Sequence, residues 1–136
     1  MSSDTRLMCG ISLLLVPTII YGGLTVLGLI SGGRYGAPAP PDLTPLQMTL
    51  YRAMHAHAGV LTLLALFLEI ALDHVSLPAG AIWPLRLAAM ASPLLVAAGF
   101  VALAHFPALR VLLYLGTLLL AVTTVSVGIG LIRGRP

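Results

Sequence analysis

The chain has 136 residues, is 59% hydrophobic and 8% charged, and has a mean hydropathy of +1.05. Soluble domains carry about 25% charged residues, so this composition cannot cover a water-facing surface and lipid is the expected solvent. All seven basic residues are arginine, and against four acids they leave a formal charge of +3, too small and too scattered for a nucleic-acid partner. The length suits one domain. A single cysteine, Cys9, excludes an intrachain disulfide and reads as a packing residue.

The first apolar run, residues 11–30, is too long for the core of a cleavable signal peptide, which spans roughly 7–15 residues, and no small-x-small cleavage site follows. It reads as the first membrane helix. Residues 31–42, "SGGRYGAPAPPD", then break the helix with glycine and proline. The second span, residues 44–72, opens on Thr44 as a cap and Pro45 in the first turn. The third, residues 85–106, and the fourth, residues 110–132, are separated by a tight turn at "HFPALR". A spanning helix needs about 20 apolar residues. The expected architecture is therefore an all-α, integral-membrane bundle of four transmembrane helices. No internal repeat, phosphate-binding loop, zinc-finger or serine-elbow pattern occurs.

Arginine placement sets the orientation. Arg6, Arg86, Arg133 and Arg135 fall at one side, Arg34 and Arg110 at the other. The excess, four against two, places both termini in the cytoplasm, with a bacterial inner membrane as the expected location. The glycines of "YGGLTVLGLISGG" read as small residues that let helices approach closely.

Polar residues inside spans usually face protein or a cavity. At about 100° per residue, Arg52, His55, Gly59, Thr62, Leu66, Glu69 and Asp73 form one stripe of the second span. The fourth span offers Arg110, Tyr114, Thr117, Ala121, Thr124 and Gly128. The first offers Pro17, Thr18, Tyr21, Thr25 and Gly28. These stripes are expected to face one another inside the bundle, unless the hydroxyls only bond their own backbone. Glu69, Asp73 and His74 lie near the cytoplasmic interface and read as solvated end residues.

His55 and His57 sit within "YRAMHAHAGVLTLL". Two residues apart, they point about 200° apart on a helix and cannot chelate one ion as residues four apart can. His55 shares the polar stripe. His57 lies on the opposite face, among Leu50, Leu61, Leu64 and Leu68. That face meets lipid or another copy, and the helix backbone is expected to offer the imidazole no partner. Gly59 is expected to leave open space beside it. A flat apolar cofactor with a metal centre suits such a place, and haem needs one axial imidazole and a greasy slot.

Three stretches resemble the styrene oxide isomerases, small four-helix membrane proteins that bind haem b. They are "GISLLLVPTIIYGGLTVLGLISGG" (residues 10–33), "MHAHAG" (54–59) and "GFVALAHF" (99–106). The second resembles the family's Arg-Ala-His-Ser-Gly segment, whose histidine holds the haem iron. His57 matches it as the histidine that precedes x-Gly. The resemblance implies a homotrimer with haem between neighbouring copies, where ferric iron acts as a Lewis acid on an epoxide and yields a carbonyl product. Several positions depart from the family. Its catalytic tyrosine is Val101 here, its asparagine Leu63, and its aspartate falls near Pro93. The arginine two residues before the ligand is His55.

The resemblance thus implies an epoxide isomerase-like haem enzyme with a small apolar substrate that differs from the family's. His57 would bind the iron. His55 would be a distal acid–base group or a propionate partner. Arg52, Arg34 and Arg110 would anchor carboxylates, and Tyr21 and Tyr114 are the hydroxyls available to replace the missing tyrosine. Gly59 and His105 complete the candidate cofactor set. Two other readings stay open: a non-catalytic membrane subunit with its histidines packed against another chain, and an electron-transfer or quinone protein with haem between two histidines such as His55 and His105. Within the first reading, His55 also stays open as the ligand in place of His57.

Overall fold

The computed structural model describes residues 1–35 and 43–134. Arg135 and most of the 31–42 linker lie outside them. Four helices follow in order: α1 (Ser3–Ile30), α2 (Pro45–Ala71), α3 (Ala79–His105) and α4 (Val111–Arg133), the last preceded by a single 3-10 turn, Pro107–Arg110. The described residues contain no strand. Each helix is long and apolar enough to cross a membrane, α4 when taken with its leading turn.

The helix ends follow local chemistry. α1 begins at Ser3, not at residue 11, because Ser2 caps it: the Ser2 hydroxyl accepts the Thr5 N–H, and Asp4 sits in the first turn. At α2 the Thr44 hydroxyl accepts the Gln47 N–H while the Gln47 side chain accepts the Thr44 N–H, a reciprocal cap that satisfies two otherwise free donors. α3 begins at Ala79, not at residue 85, and takes Pro84 and Pro93 into its body. Pro93 has no N–H for the Ala89 carbonyl four residues back. The Ser92 hydroxyl donates to that carbonyl instead, at 3.4 Å.

Neighbours in sequence are neighbours in space. α2 packs on α1 and on α3, and α3 packs on α4, whereas α1 and α4 share no contact among the described residues. The α3–α4 crossing is set by glycine. A Cβ on Gly99 would lie 2.5 Å from the Leu113 backbone nitrogen, and one on Gly116 would lie 2.8 Å from Val96 Cγ2. No side chain fits at either point. The start of α1 and the last turns of α4 lie at one end of the molecule, where Ser2 meets Asp73 and the Ser76 N–H donates to the Gly130 carbonyl. The core of Leu68, Leu72, Val75, Leu85, Ala89 and Val127 is at this same end.

The expectation that the polar stripes face one another is overturned. The buried face of α4 is Gly116, Thr123, Val127 and Gly130. Tyr114 is 63% exposed, and Arg110, Thr117 and Ala121 also point outward. In α1, Tyr21 is 68% exposed and Pro17 and Thr18 face out with it. The hydroxyls do not need the interior because each bonds its own helix. Thr18 donates to the Leu15 carbonyl, Thr25 to Tyr21, Thr117 to Leu113 and Thr124 to Leu120. Close approach at glycine decides which faces meet.

Candidate functional site

Regular helix geometry sends the two α2 histidines to different neighbours. His55 is half-buried and turns to α1, where its ring lies against Gly23; a Cβ there would be 2.8 Å from His55 Cε1. It lines a cavity of about 190 Å³ among Thr18, Ile19, Met54, Thr62, Pro93 and Leu94. It also lines an outer groove of about 340 Å³ with Ile20, Ala56, Gly59, Val60 and Leu63.

His57 is exposed and turns to α3. Its ring centroid is 4.9 Å from that of Phe100. Its Nδ1 bonds the Ala53 carbonyl at 2.7 Å. The expectation that the backbone gives this imidazole no partner is therefore wrong: a histidine ring reaches back one turn to the carbonyl four residues earlier. The bond has a chemical consequence. A carbonyl only accepts, so Nδ1 carries a proton, and in the neutral ring Nε2 is then the nitrogen with the free lone pair. His57 lies in a shallow groove of about 160 Å³ with Ala56 and Val60. These two residues also line the His55 groove, so the grooves adjoin along the outer face of α2.

Gly59 lies on the His55 side, not beside His57 as expected. It follows His55 by four residues and so shares its face. A Cβ on Gly59 would meet only Ile19 Cγ2, at 4.0 Å. His105 is occupied elsewhere, with its Nε2 2.8 Å from the Tyr51 hydroxyl. Arg34, Arg52 and Arg110 are exposed at the end opposite the termini, the end that also holds the Tyr51–His105 pair. Tyr21 and Tyr114 stand on helices that do not touch. The structure thus brings His55 and Gly59 together, puts His57 on the adjoining groove, and leaves both tyrosines apart from it.

A second polar cluster lies at the termini end. Arg86 Nη1 donates to Glu69 Oε2 at 2.7 Å, and Nη2 donates to Asp73 Oδ1 at 3.0 Å. Glu69 is 0% exposed and Arg86 2%. The reading of Glu69 and Asp73 as solvated end residues is overturned, and so is that of Arg86 as a flanking charge. Arg86 sits roughly 10 Å into α3, at 1.5 Å per residue, with its charge spent inside the protein. With Arg86 buried and Arg52 exposed at the far end beside Arg34 and Arg110, the arginines stand three against three, and their placement no longer distinguishes the two orientations. The sequence signal was present, since an ionic residue within an apolar run implies a buried partner. The partner's identity was not, because Glu69 and Arg86 are joined only by the α2–α3 turn.

Asp73 also accepts from the Ser2 backbone N–H at 2.7 Å, the Ser2 hydroxyl at 2.8 Å and the Thr5 hydroxyl at 2.7 Å. Burial works to raise its carboxyl, but the bonds from Thr5, Ser2 and Arg86 outweigh burial and hold it well below the usual carboxylate range. Such a group adds stability above its unfolded value of about 3.9 and loses that contribution as pH falls through and below it. We expect Asp73→Asn to lower stability at pH 7 and to flatten the loss of stability between pH 5 and pH 2, measured as unfolding midpoints in detergent. An equally steep acid loss in the variant would show that Asp73 is not the responsible group.

Comparison with protein-family models, with curated proteins and with solved structures finds no match for this chain. Among the described residues no three histidine, cysteine or carboxylate groups gather as metal ligands. A bare ion at either histidine would therefore find a single imidazole, whereas a cofactor that brings its own ligand ring needs only one.

Proposed function

We propose that the chain is a multi-pass membrane protein that binds haem b through His57. One observation carries the reading: the 2.7 Å bond from His57 Nδ1 to the Ala53 carbonyl, on an exposed apolar face beside Phe100. A metal-binding histidine characteristically donates its other ring nitrogen to a carbonyl or carboxylate, which fixes its tautomer and orientation. His57 is therefore the residue that would hold the haem iron, through Nε2. Haem, when bound, would supply an iron able to polarise the oxygen of a small apolar substrate, in the manner of the styrene oxide isomerases.

The chain's own residues do the rest. Ala53 orients the imidazole, and Phe100 packs its ring. Arg34, Arg52 and Arg110 offer guanidinium partners for carboxylates. His57 faces outward, so the second wall of its groove must come from outside the chain. A homotrimer supplies it to every copy alike. Tyr21 and Tyr114 then serve one centre only across a contact between copies.

Haem titration of the purified protein tests the reading, with a saturable Soret band as the expected result. We also propose that both termini are cytoplasmic. Reporter fusions after Gly134 and within residues 31–42 should report opposite sides, with the carboxy-terminal one inside. An external carboxy terminus would reverse the orientation.

A further inference from the structure

We propose that the Met1–Ser2 bond is cut, and that the α-ammonium group this frees on Ser2 is held by Asp73 as the missing cation of the Arg86 cluster. The inference is independent of haem and of both histidine grooves, because the cluster lies where α1 begins.

Charge comes first. Glu69 and Asp73 bring two negative charges to the cluster, and Arg86 brings one positive charge. Among the described residues no other cation pairs with either carboxylate. Asp4, Arg6, His74 and Arg133 stand at the same end, but none of them enters an ion pair. A carboxylate without its own cation is costly where α1, α2 and α3 meet. The cluster is one positive charge short.

Geometry comes second. The Ser2 backbone nitrogen donates to Asp73 Oδ2 at 2.7 Å, the one bond that oxygen accepts among the described residues. Oδ1 already accepts from the Ser2 and Thr5 hydroxyls and from Arg86 Nη2. The nitrogen that cleavage would convert to an ammonium group thus already points at the carboxylate oxygen that no charged donor reaches. A charge-assisted bond is roughly twice as strong as the neutral one it would replace. A cation at the start of α1 is opposed by the helix dipole. Asp4 in the first turn and Asp73 itself offset that opposition.

Access comes third. Met1 is 70% exposed, and its bond to Ser2 lies ahead of Ser3, the first helical residue. A leading methionine is removed ahead of a small residue, and Ser2 is small. In the hydrolysis, water adds its oxygen to the Met1 carbonyl carbon and the C–N bond breaks. Methionine leaves as the carboxylate, and both protons of the water end on the Ser2 nitrogen. Ser2 keeps its hydroxyl, so it still caps α1 through the Thr5 N–H.

The pairing carries a pH dependence. A neighbouring carboxylate raises an α-ammonium group above its ordinary range of about 7.7–8.0. The stabilisation is complete below that range and is lost as pH rises through the higher folded value.

The test uses the full chain with an unmodified amino end, recovered from membranes into lipid nanodiscs. Intact mass spectrometry should show a mass one methionine residue below that of the sequence. The chain has no lysine, so the α-amine is its only amine, and acetylation by a succinimidyl ester reads that group alone. At pH 7 acetylation should run about tenfold slower in the folded chain than in denaturant, the worth of one bond to a charged group. Asp73→Asn should remove that protection. A chain that keeps Met1, or whose amine is blocked, would overturn the proposal and leave a proton on a carboxyl as the balancing charge. Equal rates in the folded and unfolded chain would overturn it too, by placing the ammonium group away from Asp73. That comparison needs no variant, so it decides the matter even if Asp73→Asn does not fold. A folded Asp73→Asn chain with its protection intact would equally overturn the assignment, by giving the protection to another group.

Discussion

Arg86→Met destabilises the protein by about 3–5 kcal/mol, the range for breaking a buried ion pair by removing one partner. The effect is large because of what stays behind. Glu69 is fully buried, and among the described residues Arg86 is the one cation bonded to it. Asp73 loses a donor at 3.0 Å in the same substitution. α1 is loosened as well, since Ser2 and Thr5 bond the same Asp73 carboxylate. Glu69→Gln with Arg86→Met should recover much of the loss, because no uncompensated charge then remains. Reversible unfolding in mixed detergent measures both variants. A single variant as stable as the parent would mean that the cluster does not hold the helices together.

If haem binds as proposed, His57→Ala is expected to remove stoichiometric haem binding and His55→Ala to keep it. The difference follows from where each imidazole points. His57 is fixed by the Ala53 carbonyl with Nε2 directed away from that bond, on the outer face. His55 is turned to Gly23 on α1. One iron cannot be reached by both from a regular helix, because residues two apart diverge by about 200°. Purified variants with haem supplied, compared by Soret absorbance per chain, separate the possibilities. Haem retained in His57→Ala and lost in His55→Ala would transfer the ligand role to His55. Haem lost in neither would point to a mere packing role for both.

Four helices were legible because long apolar runs punctuated by glycine and proline carry that information directly. Thr44 and Pro45 announced the start of α2 one residue from where it lies. The faces of the helices were less legible. Threonine and tyrosine positions on α1 and α4 resembled an inward stripe, yet a hydroxyl in a helix can bond its own carbonyl and so says little about direction. Gly99 and Gly116 do fix a face, but only because Leu113 and Val96 lie opposite them, and that pairing is a property of the fold. The opposition of His55 and His57 was readable, since helical periodicity alone determines it. The Ala53 bond to His57 and the burial of Arg86 were not. Both depend on side-chain conformation and on which end of α2 meets which turn of α3.

The most direct measurement is a visible-absorption titration of the purified protein with haem in nanodiscs. The expected result is a saturable Soret band at one haem per chain that is lost in His57→Ala. A spectrum identical to that of haem in protein-free nanodiscs would contradict it.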